Sequence, residues 1–202
     1  MVNISKTAAK REELRSRIIA LAEEMIAARG LAALRARELA EAAGCALGSL
    51  YNVFADLDDL ILEVNGRTLA AIDETMSAAT DPAPEQQLQK LAQSYLAFAK
   101  QHPLLWRALF EHHMPENRDL PAWYAEKLLN LMSRIASPLA RLQSSLSVEE
   151  LATRSRTLFA AVHGVVSISL DNRFVGIAQP DLAQELRRFI GVLLAGAEKA
   201  KA

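Results

Sequence analysis

An all-α fold of about nine helices is what this sequence predicts, and three observations carry that expectation. Apolar residues recur at three- and four-residue spacing along most of the chain, Gly and Pro punctuate it at helix-length intervals, and no two alternating segments are joined by a hairpin turn. With 202 residues, 51% hydrophobic and 23% charged, the chain can bury a core without covalent staples and falls outside the disordered class. Its single cysteine, Cys45, has no partner within the chain, which suits a reducing compartment. No apolar run of signal-peptide type follows the basic opening residues. The longest uncharged stretches, 42–55 and 157–170, are too short to span a bilayer. The expected location is the cytoplasm, with no membrane partner.

The elements follow in order. Leu14, Ile18, Leu21 and Met25 form a helical stripe that Gly30 ends. Two short helices, about 34–43 and 47–54, flank Gly44, which is free to take positive φ. Asp56 is placed to cap a long fourth helix, with Asp58 and Asp59 in the first turn where the helix dipole favours anions, and the helix stops before Asp81-Pro82-Ala83-Pro84. Leu88, Leu91, Tyr95 and Phe98 mark a fifth helix, and Pro103 opens a short sixth. A loop over 114–120 leads to a seventh helix from Pro121, which Pro138 is expected to kink or end. The eighth carries Leu151, Leu158, Val162 and Val165, and the ninth Leu182, Leu186, Phe189 and Leu193. Val166, Ile168 and Leu170 alternate with serines as a strand would, but a lone strand has no partner here and the helical frame continues through them. All seven prolines lie at or beyond Pro82, which suggests two architectural parts, 1–55 and 56–202.

Charge is also unevenly divided. The net charge is −1, yet residues 1–54 carry +2 and the remainder −3. Five cations between Lys6 and Arg17 (Lys6, Lys10, Arg11, Arg15 and Arg17) form a basic arm able to approach phosphate, although faces of this density are commonly just solvated. Beyond the arm, Ala40, Gly44 and Leu50 occupy the small-residue, turn and inward-locking places of a helix-turn-helix. Ser49, Tyr51 and Asn52 then offer hydroxyls and an amide of the kind that bond phosphates and base edges. A bland helical hairpin accounts for Ala40 and Gly44 equally well.

The block from Ala28-Arg29-Gly30-Leu31 through Leu39-Ala40-Glu41-Ala42-Ala43-Gly44 to Gly48-Ser49-Leu50-Tyr51-Asn52-Val53-Phe54 resembles the DNA-binding domain of the TetR/AcrR family of transcription regulators. That resemblance implies an N-terminal three-helix DNA-binding domain and a C-terminal helical domain for ligand binding and dimerisation. It places Ser49 and Tyr51 on phosphates, turns Ala46, Leu47 and Asn52 toward the groove, lets Gly48 approach closely, and brings Arg35, Arg37 and the arm residues Lys6 and Lys10 to the backbone. Three positions depart from the family pattern. Ala46 supplies no side-chain cap where serine is more frequent, Leu57 replaces a phosphate-binding lysine in an acidic setting, and Val53 replaces a polar residue. The segment Phe159-Ala160-Ala161-Val162-His163-Gly164 is similar to a Trp-x-x-x-His-Gly signature of one C-terminal subgroup, with Phe for Trp.

For the C-terminal half the expected pocket residues are Tyr95, Phe98, Trp106, Phe110, Trp123, Tyr124, Met132 and His163. Each aromatic also fits an ordinary core position, and His163 a satisfied core histidine. The histidines lack metal-ligand spacing, and no nucleophile motif, phosphate loop or dinucleotide fingerprint is present, so neither a metal, a cofactor nor an enzyme is expected. The resemblance implies a homodimer through the last two helices, with Leu158, Val162, Leu186, Phe189 and Leu193 at the interface. It further implies a palindromic operator in double-stranded DNA, and repression released by a small apolar or amphipathic effector through movement of helix four. A helical sensor or interaction module without DNA binding is the competing expectation.

Overall fold

The computed structural model describes residues 2–115, 118–171 and 175–199, with side chains from 7 to 195 within those ranges. Its α-helices are α1 Val2–Arg29, α2 Ala36–Ala42, α3 Leu47–Val53, α4 Leu57–Ser77, α5 Pro84–Gln101, α6 Pro103–Glu111, α7 Ala122–Leu142, α8 Val148–Leu170 and α9 Gln179–Lys199, and a 3-10 turn spans Leu31–Ala33. No strand occurs among the described residues; Val166 to Leu170 are helical, because α8 continues through them. The chain packs as two units, Met1–Ala70 with His102–Tyr124, and Ala71–Gln101 with Ala125–Ala202. The first packing unit is therefore larger than the 1–55 segment, since α6 lays Ala108 against the α1–α4 core.

In the first unit, Ile18, Ile19, Ala22 and Ile26 are the buried face of α1, while Leu14, Leu21 and Met25 pack at its edge. The apolar centre is thus turned by one residue from the stripe read in the sequence, because α2, α3 and α6 all pack on α1 and together widen the covered face. Gly30 takes φ 80° directly after α1, and its N–H bonds the Ile26 carbonyl at 2.8 Å. Gly44 takes φ 66°. Its N–H reaches the Glu41 carbonyl and the Cys45 N–H reaches the Ala40 carbonyl, both at 3.0 Å, a Schellman closure that ends α2 and aims α3 away from it. Nothing crowds a Cβ built at Gly44, so the positive φ is what requires glycine.

The second unit assembles α5, α7, α8 and α9. Tyr95, Leu91 and Leu88 of α5 are buried, as are Leu131, Ile135 and Leu139 of α7, Val162 and Val166 of α8, and Leu182, Leu186 and Ile190 of α9. A capping box starts α8: the Ser147 hydroxyl accepts from the Glu150 N–H while the Glu150 carboxylate accepts from the Ser147 N–H. Pro138 lies inside α7, which continues to Leu142, so the proline does not end it.

Leu50 is the buried residue of α3, with no exposure. Leu50→Ala is expected to lower the unfolding free energy by about 2 to 5 kcal/mol in denaturant titration, through lost burial and the cavity left behind. A cost under about 1 kcal/mol would mean that α3 is not held by this side chain.

Candidate nucleic-acid interface and effector cavity

A seven-residue helix has two faces and little intrinsic stability. On α3 the inward face is Leu50, packed with Ile18, Leu39, Ala40, Ala43 and Phe54. The outward face carries Tyr51, 45% exposed, with Asn52 and Gly48 exposed and Ser49 half-buried, whereas Leu47, expected to face the groove, is half-buried against the core because its aliphatic side chain packs beside the Leu50 cluster. Ala46 starts the helix in extended geometry without a side-chain cap; its carbonyl accepts from the Ser49 N–H at 2.8 Å. At the other end Arg11 donates from Nη2 to the Asn52 carbonyl at 2.8 Å, and Arg17 donates from Nη1 to the Ala43 carbonyl at 3.3 Å, where α2 ends. Both cations sit at helix C-termini, where the dipole favours positive charge.

This use of α1 commits three of the five arm cations to the fold. Arg11 and Arg17 pin the ends of α3 and α2, and Arg15 pairs with Glu63 while lying 5.5 Å from the centre of the Phe54 ring. Lys10 remains exposed, and the side chain of Lys6 lies outside the described residues. Arg35 and Arg37 are both exposed, but Arg35 also turns homeward: its Nη1 donates to the Ala32 and Leu34 carbonyls at 2.6 and 3.0 Å, closing the 3-10 turn.

Three carboxylates stand at the start of α4, and each has a partner. Asp56 accepts from the Asp59 N–H at 2.8 Å as an N-cap, and Asp59 accepts from the Ala55 N–H at 3.0 Å. Arg118, from the segment after α6, donates to Asp56 at 2.7 Å and to Asp59, and His112 Nε2 lies 2.9 Å from Asp58. The Asp59 N–H, joined by the Arg118 guanidinium, holds the Asp56 carboxyl below its ordinary value. Sequence reasoning placed the cap but missed the clasp, because contacts across about sixty residues leave no periodic trace.

The second unit contains a cavity of about 30 Å³ lined by Met76 of α4, Leu91 and Tyr95 of α5, Leu131 and Ile135 of α7, Leu158, Phe159 and Val162 of α8 and Ile190 of α9, among others. Tyr95 supplies the one hydroxyl of the wall, 2.8 Å from His163 Nδ1. Phe159 meets the Tyr95 ring edge-on at 5.6 Å and stacks on His163 at 5.9 Å. Burial lowers the His163 pKa, favouring the neutral imidazole.

Of the expected pocket residues, only Tyr95 lines this cavity, with His163 bonded behind it. Phe98 is buried and Met132 half-buried in the same unit without lining it. Trp106, Phe110, Trp123 and Tyr124 belong to the first unit: Trp106 is buried 5.6 Å from the Phe110 ring, and Trp123 packs edge-on against Tyr124 at 5.5 Å. Burial pushes the Tyr124 phenol up to about 12. Helical spacing shows which face of α6 or α7 is apolar, not which unit receives it. The interface set is corrected likewise. Leu186 has no exposure and Val162 6%, so both belong to the core of their own chain, and Leu158 lines the cavity. Phe189 is half-buried, and Leu193 is exposed. Leu193, Leu194, Leu158 and Ala161 line a groove that also takes in Leu139 and Gln143 of α7.

Among the described residues no helix is long and apolar enough to cross a membrane, and no group of His, Cys, Asp and Glu is placed to hold a metal ion. A Schellman turn between two short helices, with an exposed polar face on the second, is the geometry of a helix-turn-helix, and the second unit is a helical body that contains a mostly apolar cavity. Residues 18–64 match the model for bacterial regulatory proteins of the tetR family, and residues 88–193 match that of the tetracyclin repressor-like C-terminal domain. The chain belongs to the TetR family of DNA-binding transcriptional regulators.

Solved structures of the same fold include a Rhodococcus sp. RHA1 protein of unknown function, at 18% identity over 91% of this chain and 94% of that one, TM-score 0.72. PfmR, a TetR family transcriptional regulator from Thermus thermophilus, is 15% identical over 89% and 97%, TM-score 0.60. RolR, solved with resorcinol, is 20% identical over 95% and 94%, TM-score 0.66. No curated protein matches the chain.

One ion pair in the second unit gives a pH signature. Arg134 of α7 donates from Nε and Nη2 to the two oxygens of Asp73 on α4, at 2.8 and 2.9 Å, and this bond holds the Asp73 carboxyl below its ordinary 3.8. A depressed folded-state pKa adds stability above the unfolded-state value that is lost as pH falls through the folded-state value. Wild type is therefore expected to be more stable than Asp73→Asn near pH 7, with the difference shrinking below about pH 4. Denaturant titrations across that range check it, and a pH-independent difference would contradict the assignment.

Proposed function

We propose that the chain is a homodimeric, sequence-specific repressor that reads a palindromic operator with α3 and is released by a small molecule bound in the second unit. The observation that carries this reading is the division of labour on α3: Leu50 is wholly inside, while Tyr51 and Asn52 stand in solvent on a helix fixed at both ends. Ser49 and Tyr51 are assigned to phosphates, Asn52 to a base edge, Ala46 and the partly covered Leu47 to the groove side, and Gly48 to close approach. Lys6, Lys10, Arg35 and Arg37 supply backbone charge, with Arg35 limited by its bonds to its own turn.

Pairing of two chains through α8 and α9 is supported by apolar side chains that the protomer leaves uncovered: Val192 is 71% exposed and Leu193 38%, beside the groove lined by Leu158, Ala161 and Leu194. Twofold pairing would set two copies of α3 about 34 to 36 Å apart, one duplex turn. The cavity bounded by Tyr95 and Phe159 is the proposed effector site, and RolR with its resorcinol is an instance of this fold holding one small aromatic molecule. Effector binding that favours a different α4 position would weaken DNA binding by about 1 to 3 kcal/mol.

The three carboxylates beside α3 give some weight to a sensor without DNA binding, and that reading predicts no salt-dependent affinity for any duplex. On the repressor reading, Tyr51→Ala weakens binding to operator and unrelated duplexes alike. Asn52→Ala instead costs about 1 to 3 kcal/mol on the operator and relaxes preference at one base position. Fluorescence anisotropy titrations at fixed salt distinguish the two, and reversed outcomes would refute these roles.

A further inference from the structure

The apolar cavity does not stand alone in the second unit. A cleft of about 360 Å³ lies against it, and the two share Met76 and Leu91 as a common wall. These two side chains are only 5% and 3% exposed, so the partition is closed as it stands. On the cavity side nearly every lining group is hydrocarbon. On the cleft side the lining includes Ser77, Thr80, Gln87, Asn130, Ser133 and Ser137. The cleft holds one cation and one anion, Arg134 and Asp73, and these are already bonded to each other through both carboxylate oxygens.

We infer that cavity and cleft form one two-compartment site for an uncharged amphiphile, with Met76 as the gate between an apolar tail and a hydroxyl- or amide-bearing head. This rests on the effector reading above and names the ligand class for it. Three observations lead there. An unpaired charge is costly in the cavity, whose described lining has no charged group; among the described residues lining the cleft, Asp73 and Arg134 neutralise one another, and the nearby Arg141 is already bonded to the Gln87 amide oxygen at 3.3 Å, so neither compartment offers a charged ligand an uncommitted counter-ion in its wall. The Ser77 hydroxyl donates to the Glu74 carbonyl and the Ser133 hydroxyl to the Asn130 carbonyl, which leaves both oxygens as acceptors and favours a head that donates. A cavity of about 30 Å³ has room for water but not for an alkyl chain or ring, so a tail enters only if the wall yields. Methionine, unbranched and flexible, is the side chain there best suited to move. Its displacement opens the partition and adds its own space to the cavity.

The test is isothermal titration calorimetry on the full chain without DNA. The probes are hexyl glucoside below its micelle concentration, N-hexylacetamide, methyl glucoside as head alone, and hexanoate as the charged counterpart. Saturable binding of at least one neutral amphiphile, at one per chain, is expected, with methyl glucoside and hexanoate at least tenfold weaker. Met76→Trp, which fills the junction, is expected to weaken the neutral amphiphile tenfold or more. Should that variant fail to fold, Asn130→Ala with Ser133→Ala serves instead: it weakens hexyl glucoside but leaves toluene, a tail-like probe without a polar head, unchanged. Hexanoate binding as tightly as the neutral probes, no saturable binding of either amphiphile, or unchanged affinity in a folded variant would each overturn the proposal. Adding the bound probe to the protein–duplex complex then separates the two claims. Binding without release of DNA would sink the effector reading and leave the two-compartment site standing.

Discussion

Seven residues cannot hold a helix in water, and the conduct of the N-terminal unit follows from that constraint on α3. Two turns of helix gain few internal hydrogen bonds, so the stability of α3 comes from burying Leu50 against α1 and α2 and from satisfying the carbonyls at its end. The Gly44 closure sets its direction, and Phe54 seals its exit beneath Arg15. What results is a small polar surface whose position is fixed by residues that never leave the protein. Preorganisation of this kind suits DNA reading, since side chains held in place lose less freedom on binding.

Charge in this unit is used mainly to hold shape. Arg11, Arg15, Arg17, Arg35 and Arg118 each bond a carbonyl or a carboxylate of the same chain. Exposed ion pairs of this sort contribute little stability individually, but they decide which cations stay free to meet phosphate. The Arg118 clasp matters here for a second reason. It offsets the Asp56 and Asp59 charges within a few residues of Asn52, where bare carboxylates would repel a phosphate backbone. The proposed reading surface is therefore assembled by subtraction: Arg11, Arg17 and Arg35 are exposed but bonded to carbonyls of their own chain, which leaves Lys10 and Arg37 as exposed cations for phosphate.

Local signals in the sequence carried over into structure where a single turn or cap decides the outcome. Gly44 at positive φ, Asp56 as the cap of α4, Pro103 at the start of α6 and the helical course of Val166 to Leu170 all depend on neighbours a few residues away. Long-range allocation did not. Trp106 and Tyr124 were legible as apolar-face residues, yet both fall in the first unit, an allocation that no periodicity encodes. The same limit misassigned Leu186 and Val162: a stripe marks what is buried, and burial in the chain's own core looks identical to burial between two chains. Pro138 shows the converse, a breaker tolerated because the tertiary packing of α7 outweighs a missing hydrogen bond.

Selection of bound duplexes from a random pool, with the full chain at a fixed salt concentration, tests most directly whether α3 is presented in duplicate to DNA. The account predicts recovery of an inverted repeat whose half-sites are centred about 10 base pairs apart, or a multiple of that spacing. Recovery of no common sequence, or of a single unrepeated half-site, would contradict it.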